Sequence, residues 1–144
     1  MRRPATNQRR RPGLAALAGI VAAVALLGGC AGQPTPAEAR ERAEEVLATY
    51  GIALLPAEVA AGPTESEVRA CTSGALQRVR VRLDVPAGVD HVAALAAAWQ
   101  DRGEVTRSAG DAYLERDGYT RIAIADAGGG GPVLQVESPC VDDG

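Results

Sequence analysis

The chain has 144 residues, which is enough for one domain with a modest hydrophobic core. Its 15 basic residues, all of them arginine, are fewer than its 18 acidic residues. Five of the arginines lie before residue 12, so the rest of the chain has ten basic and 18 acidic residues and a formal charge of −8. This balance argues against nucleic acid and anionic lipid headgroups as partners, because both bind clustered positive charge.

The N-terminal segment has the three parts of a signal peptide. A basic beginning is followed by an uncharged stretch over 14–27 and then by Leu27-Gly28-Gly29-Cys30. The uncharged stretch has 14 residues, whereas a helix needs about 20 to cross a bilayer. The last four residues resemble the bacterial lipobox at every position, which implies cleavage before Cys30 and a diacylglyceryl group on its sulfur. The alternatives are a plain secreted protein and an uncleaved signal anchor.

The lipobox resemblance implies a cleaved signal peptide at 1–29, a lipidated tether at 30–35 and one globular domain at 36–144. It also implies a location on the extracytoplasmic face of the cell membrane, because the acyl chains on Cys30, such as palmitate, give stable attachment when two are present. The arginine bias and the lack of phenylalanine are typical of GC-rich coding. Together with Cys71 and Ser138-Pro139-Cys140, the arrangement resembles small lipoproteins of actinobacteria.

The two remaining cysteines are predicted to form a disulfide. If Cys30 is acylated, Cys71 and Cys140 are left, and the cysteines of an exported protein most often pair. The bond would close a loop of about 70 residues and contribute about 4 kcal/mol in the chain-entropy model. A redox-active or metal-binding pair lacks support, because the chain has no CxxC and one histidine.

The first elements of the domain are a helix and two strands. Thr35 is predicted to cap a helix that begins at Pro36, with Glu38 completing a capping box, and Gly51 ends it. Its apolar face is predicted to be Ala39, Ala43, Val46, Leu47 and Tyr50. Residues 56–63 are predicted as loop, and 67–71 and 76–85 as strands. The second strand alternates apolar and charged residues, as a half-buried strand does.

A second helix is predicted over 87–102. Its apolar stripe is predicted to be Val89, Val92, Ala93, Ala96 and Trp99. On this stripe Trp99 is a core residue, and the alternative is a stacking platform for a ligand such as a sugar. His91 is off the stripe and is predicted to be exposed and non-catalytic.

Short strands are predicted over 104–108, 111–116, 119–125 and 133–137. Asp117-Gly118 between two alternating runs is a strong hairpin signal. The predicted order is α, β, β, α, β, β, β, β. We therefore expect an α+β fold, in which an antiparallel sheet of about four to six strands has two amphipathic helices packed on one face and is closed by one disulfide.

A strip of three basic side chains is the clearest candidate surface. Arg78, Arg80 and Arg82 alternate along one strand and point the same way. We interpret them as an ordinary surface whose arginines pair with nearby carboxylates. The alternative is a binding strip for an anionic ligand, such as a carboxylate, a phosphate or a cell-wall polyanion. No motif indicates a cofactor or a metal: the glycines at 128–131 lack a following Gly-Lys-Ser/Thr, and Asp142 with Asp143 is interpreted as an acidic tail.

These features favour a non-catalytic binding or interaction module of the cell envelope, whose partners are the membrane, through Cys30, and an envelope protein or polymer. One alternative is a small hydrolase that uses carboxylates such as Asp111, Glu115 or Asp117, which requires a pocket that brings them together. Another is an accessory subunit of a membrane complex, which requires an exposed apolar patch on the sheet face without helices.

Overall fold

The structure is a computed structural model and describes residues 32–142. The predicted signal peptide at 1–29, the predicted lipidation site Cys30 and the tail residue Asp143 lie outside this range. Within it, no helix combines the length and the apolar character needed to cross a bilayer.

The first helix, α1, spans Pro36–Tyr50 as predicted. The Thr35 hydroxyl accepts a hydrogen bond from the Glu38 backbone N–H, and the Glu38 carboxylate accepts one from the Thr35 N–H. This capping box satisfies two backbone donors that the first turn leaves free. The buried residues of α1 are Ala39, Ala43, Val46 and Leu47, four of the five on the predicted face. A 3-10 turn, Ile52–Leu54, follows.

The six strands form one antiparallel sheet. They are β1 (Ala60–Cys71), β2 (Gly74–Asp84), β3 (Thr106–Ser108), β4 (Asp111–Arg116), β5 (Tyr119–Ile124) and β6 (Val133–Glu137). The second helix, α2, is His91–Trp99 and continues into a 3-10 turn, Gln100–Arg102. The order across the sheet is β1-β2-β6-β5-β4-β3, so β6 inserts between β2 and β5. The predicted α+β class and antiparallel sheet are confirmed.

The hydrophobic core lies between the helices and one face of the sheet. α1 packs over β2 and β6, and α2 packs over β4 and β5. The strands contribute alternate residues to this face, as the pleat requires. They include Val79, Val81, Ala112, Leu114, Ala123, Leu134 and Val136. The helices therefore cover one face, here called the helix face, and the opposite face, which carries the other residues of each strand, is called the open face.

Several predicted boundaries were wrong, including the start of β2, which is Gly74 and not residue 76. β1 begins at Ala60, because residues 60–61 pair with the end of β2, a long-range contact that local composition does not reveal. α2 begins at His91, because the Asp90 side chain caps it by accepting a hydrogen bond from the Ala93 N–H. The preceding residues form a turn in which Gly88 has a φ of 84°. β3 covers Thr106–Ser108, two residues less than predicted at its start.

The disulfide lies close to the first and the last residues of the domain. Cys71 and Cys140 are bonded, with 6.1 Å between their Cα atoms and a separation of 69 positions in the sequence. The C-terminal segment then pairs with the start of β2, where Gly74 lies against the Val141 carbonyl with no room for a side chain. The Asp142 N–H is 3.5 Å from the Gln33 side-chain oxygen. We call this region the disulfide end; the chain enters the domain there.

Candidate functional site

The predicted arginine strip lies on the open face of β2. The register places Arg78 between Glu67 of β1 and Glu137 of β6. Its Nη1 is 2.9 Å from Glu67 and its Nη2 is 2.6 Å from Glu137. The Nε of Arg80 is 3.2 Å from Glu65. Arg82 lies further along the same face, and no carboxylate of the described residues pairs with it.

Neighbouring strands thus neutralise two of the three arginines of the strip. The Arg80–Glu65 pair is exposed, and pairs of that kind contribute about 0–1 kcal/mol. The Arg78–Glu137 pair is partly buried. The ion pairs of Arg78 and Arg80 are those expected if the strip is an ordinary surface. Binding of an anion by the strip stays the alternative, and it now depends mainly on Arg82.

An open cleft lies on the same face at the other side of the sheet. It has a volume of about 420 Å³ and is lined by Glu104, Thr106, Tyr113, Glu115 and Thr120. The register explains the grouping, because Thr106 pairs with Tyr113 across β3 and β4, and Glu115 pairs with Thr120 across β4 and β5. The cleft therefore presents two carboxylates, two hydroxyl groups and one phenol ring.

Of the carboxylates predicted for a hydrolase, only Glu115 lines this cleft. The Asp111 carboxylate accepts a hydrogen bond from the Ala125 N–H at 2.9 Å. Asp117 lies in the β4–β5 turn, 3.8 Å from the Arg116 Nε. The second carboxylate of the cleft is Glu104, which precedes β3 and carries no recognisable signal in the sequence.

His91 is buried, and its predicted exposure was wrong. It is 5% exposed, and its Nε2 is 3.1 Å from the Ile124 carbonyl oxygen. The predicted stripe included Ala93 and left out Leu95, whereas the helix buries Leu95, and His91 lies one turn before Leu95 on the same side. Because the helix begins at the Asp90 cap, the ring at its first position is held against the end of β5.

Trp99 is a core residue, as predicted. It has no exposed surface, and its indole N–H donates a hydrogen bond of 2.7 Å to the Tyr50 carbonyl. This bond joins the C-terminal ends of the two helices. Tyr50, the last residue of α1, is thereby joined to Trp99, the last residue of α2.

The most unusual side chain in the described range is Arg121 of β5. The register places it on the helix face, between Leu114 and Val136, and it is 3% exposed. Its Nη1 donates to the Tyr119 carbonyl at 3.3 Å, but its buried Nε has no hydrogen-bond partner. Burial lowers the pKa of the Arg121 guanidinium, and the charge of Arg116 lowers it further. Sequence reasoning did not identify this residue.

Two more arginines, Arg102 and Arg116, lie near Arg121. The Cζ atoms of Arg102 and Arg121 lie 4.2 Å and 5.2 Å from the centroid of the Tyr50 ring. The Nη1 of Arg116 donates to the Arg102 carbonyl at 3.1 Å. Within the described residues, the one carboxylate paired with any of the three is Asp117, whose side chain is 78% exposed. We call Arg102, Arg116 and Arg121 the arginine cluster.

The positive charge of the arginine cluster is only partly balanced by negative side chains. A cation over an aromatic ring gains up to about 2 kcal/mol when it is desolvated. Against this, a buried donor without a partner costs about 1–3 kcal/mol, and a buried charge without a counter-ion costs several kcal/mol more. Because the opposing contributions are the larger, the Tyr50 ring alone does not account for the burial of Arg121.

No group of three or more His, Cys, Asp or Glu side chains within 32–142 is arranged to hold a metal ion. Comparison of the chain with protein-family models, with curated proteins and with solved structures found no match.

Proposed function

We propose that this protein is a lipid-anchored, non-catalytic binding module of the cell envelope, and that it binds envelope carbohydrate through the cleft on its open face. The observation that carries the proposal is the composition of the cleft. Glu104 and Glu115 supply acceptors for sugar hydroxyl groups, and Thr106 and Thr120 supply donors and acceptors. The Tyr113 ring offers an apolar surface against which a sugar ring packs.

The lipobox and the short tether support the location. Five residues, 31–35, separate Cys30 from the first helix, and such a segment reaches at most about 17 Å. Since Gln33 lies at the disulfide end, a lipid on Cys30 would hold that end of the domain next to the bilayer. The sheet would then stand over the membrane surface, where envelope polymers are attached or pass.

Sedimentation with purified cell-wall glycan tests the binding function. Full-length protein should sediment with the glycan, and Tyr113→Ala should weaken binding about tenfold, since loss of a ring contact and its buried area is worth about 1.4 kcal/mol. Glu41→Gln, on the exposed side of α1, and Glu115→Gln change the charge equally, and only the second should weaken binding. Absence of sedimentation by the unmodified protein would count against the proposal.

A small glycan hydrolase is the second candidate, because Glu104 and Glu115 share one cleft. Glycosidases use a pair of carboxylates, one as acid and the other as base or nucleophile. A hydrolase would release new reducing ends from the same glycan, and Glu104→Gln and Glu115→Gln would each abolish the release. Binding without release supports the non-catalytic module, whereas release that both variants abolish would replace it.

A further inference from the structure

The arginine cluster is outside the cleft and on the opposite face of the sheet, so the proposed function does not use it. Its three guanidinium groups belong to β4, to β5 and to the 3-10 turn after α2. We propose that the arginine cluster is a binding site for a phosphate group, carried by a lipid headgroup or by a soluble molecule. An arginine matches phosphate because its planar guanidinium presents several N–H donors to two oxygens at once.

Arg121 has a hydrogen-bond donor that no protein group of the described residues uses. Buried polar groups in folded proteins are almost always hydrogen-bonded, so the unpaired Nε of Arg121 needs an explanation. A phosphate oxygen would accept that hydrogen bond and supply the missing negative charge. On the open face, carboxylates accept hydrogen bonds from Arg78 and Arg80 and supply the negative charge. Within the described residues, no carboxylate pairs with Arg121 in this way.

The donors are held in place without a ligand. The guanidinium groups of Arg102 and Arg121 both lie against the Tyr50 ring. The Tyr50 backbone is held in turn, because its carbonyl accepts the Trp99 indole N–H. Arg116 is oriented by its bond to the Arg102 carbonyl. A site of this kind loses little side-chain entropy when an anion binds.

Arg116 is the member of the cluster closest to the disulfide end. The β4–β5 turn next to it packs against Pro139, since a side chain at Gly118 would meet the Pro139 ring at 2.8 Å. Tyr50 is at the other end of α1 from the residues where the chain enters the domain, and a helix of 15 residues is about 22 Å long. If the proposed anchor is correct, Arg116 is the arginine of the cluster nearest to the headgroups of the anchoring membrane. The net charge of −8 argues against such a partner for the domain as a whole, but attraction within about 10 Å depends on the local charges.

Phosphate titration of the purified full-length protein tests the site directly. Trp99 is the single tryptophan of the chain and donates its indole N–H to Tyr50, so its fluorescence should report occupancy. At constant ionic strength, inorganic phosphate should produce a saturable change, and chloride should not. The double variant Arg102→Gln/Arg116→Gln should weaken phosphate binding at least about tenfold, because it removes two charged donor groups.

Two controls make the result specific. Arg69→Gln removes the same kind of charge from an exposed position on β1 and should leave the titration unchanged. Tyr113→Ala, in the cleft, should also leave it unchanged, so that failure of the cleft and failure of the cluster are distinguishable. An unmodified protein without a saturable response to phosphate or to the lipid below would overturn the proposal, as would equal weakening by Arg69→Gln.

Reconstituted vesicles distinguish the two sources of phosphate. The Trp99 fluorescence of the full-length protein should be compared in phosphatidylcholine vesicles and in vesicles that also contain phosphatidylglycerol. A change that requires phosphatidylglycerol and is lost in the double variant assigns the site to a lipid headgroup. A response to free phosphate alone assigns it to a soluble phosphate compound.

Discussion

Replacement of Arg121 by methionine should make the domain more stable in phosphate-free buffer. Methionine has a similar length and packs adaptably in apolar surroundings. The variant loses the hydrogen bond to the Tyr119 carbonyl, worth about 1 kcal/mol, and the interaction with the Tyr50 ring, worth up to about 2 kcal/mol. The substitution also removes two unfavourable contributions. The unpaired Nε costs about 1–3 kcal/mol, and a buried charge without a counter-ion costs several kcal/mol.

The difference predicts a gain of about 1–2 kcal/mol in the free energy of unfolding, because the unfavourable desolvation of Arg121 is larger than its favourable interactions with Tyr119 and Tyr50. For a domain of this size, each kcal/mol corresponds to a rise in Tm of about 4 °C. Thermal and urea unfolding measured in phosphate-free buffer would show both quantities. Arg107→Met, at an exposed position on β3, is the matched control and should change stability by less than about 0.5 kcal/mol.

Added phosphate should reverse the order of stability. A ligand that binds only the folded state stabilises it by mass action, and the methionine variant has lost the central donor of the site. The unmodified protein should therefore gain stability with phosphate concentration while Arg121→Met does not. A variant that is less stable by more than about 1 kcal/mol, with and without phosphate, would refute the reasoning, because Arg121 would then be stabilised by its protein surroundings.

Three other predictions follow from the fold and from the proposed lipid anchor. Replacing Cys71 and Cys140 with alanine should lower the free energy of unfolding by about 4 kcal/mol, measured in urea, since the bond closes a long loop; equal stability with and without a reductant would contradict this. Cys30→Ala should move the protein from the membrane to the soluble fraction after cell fractionation, and membrane retention of the variant would favour a signal anchor. Burial raises the pKa of the Tyr119 phenol, so above about pH 10 the unfolded state loses this proton first and stability should fall as pH rises. Tyr119→Phe should remove that part of the fall, and an unchanged alkaline profile would show that other groups cause it.

The helix and strand types could be predicted because their signals are local. The Thr35 capping box, the alternation along β2 and the Asp117-Gly118 turn each involve residues close in sequence. The second helix was placed four residues too early because its true start depends on Asp90 as cap. His91 was expected to be exposed because the predicted stripe left out Leu95, which the helix buries on the same side as His91.

The cleft could be predicted only in part. Glu115 was a candidate, but the pairing of β3 with β4 brings Thr106 beside Tyr113 and places the cleft next to Glu104. Such pairing is set by long-range packing, which a single strand of three residues does not reveal. The same limit applies to Arg78, whose two carboxylate partners are 11 and 59 residues away in the chain.

The sequence by itself determined the class of fold and the side-chain alternation of its strands, because these depend on local spacing. It also indicated the disulfide pair, because the lipobox resemblance set Cys30 apart and left two cysteines. Only the tertiary structure decided which face of each strand meets the helices. On β5 the bulky Ile122 and Ile124 lie on the open face, whereas Arg121 lies on the helix face between Leu114 and Val136. The physical reason is that the register of β5 with β4 and β6 fixes the face of the sheet on which each of its side chains lies. A shift of one residue would move all of them to the opposite face. The burial of Arg121, and with it the arginine cluster, is a consequence of that shared register.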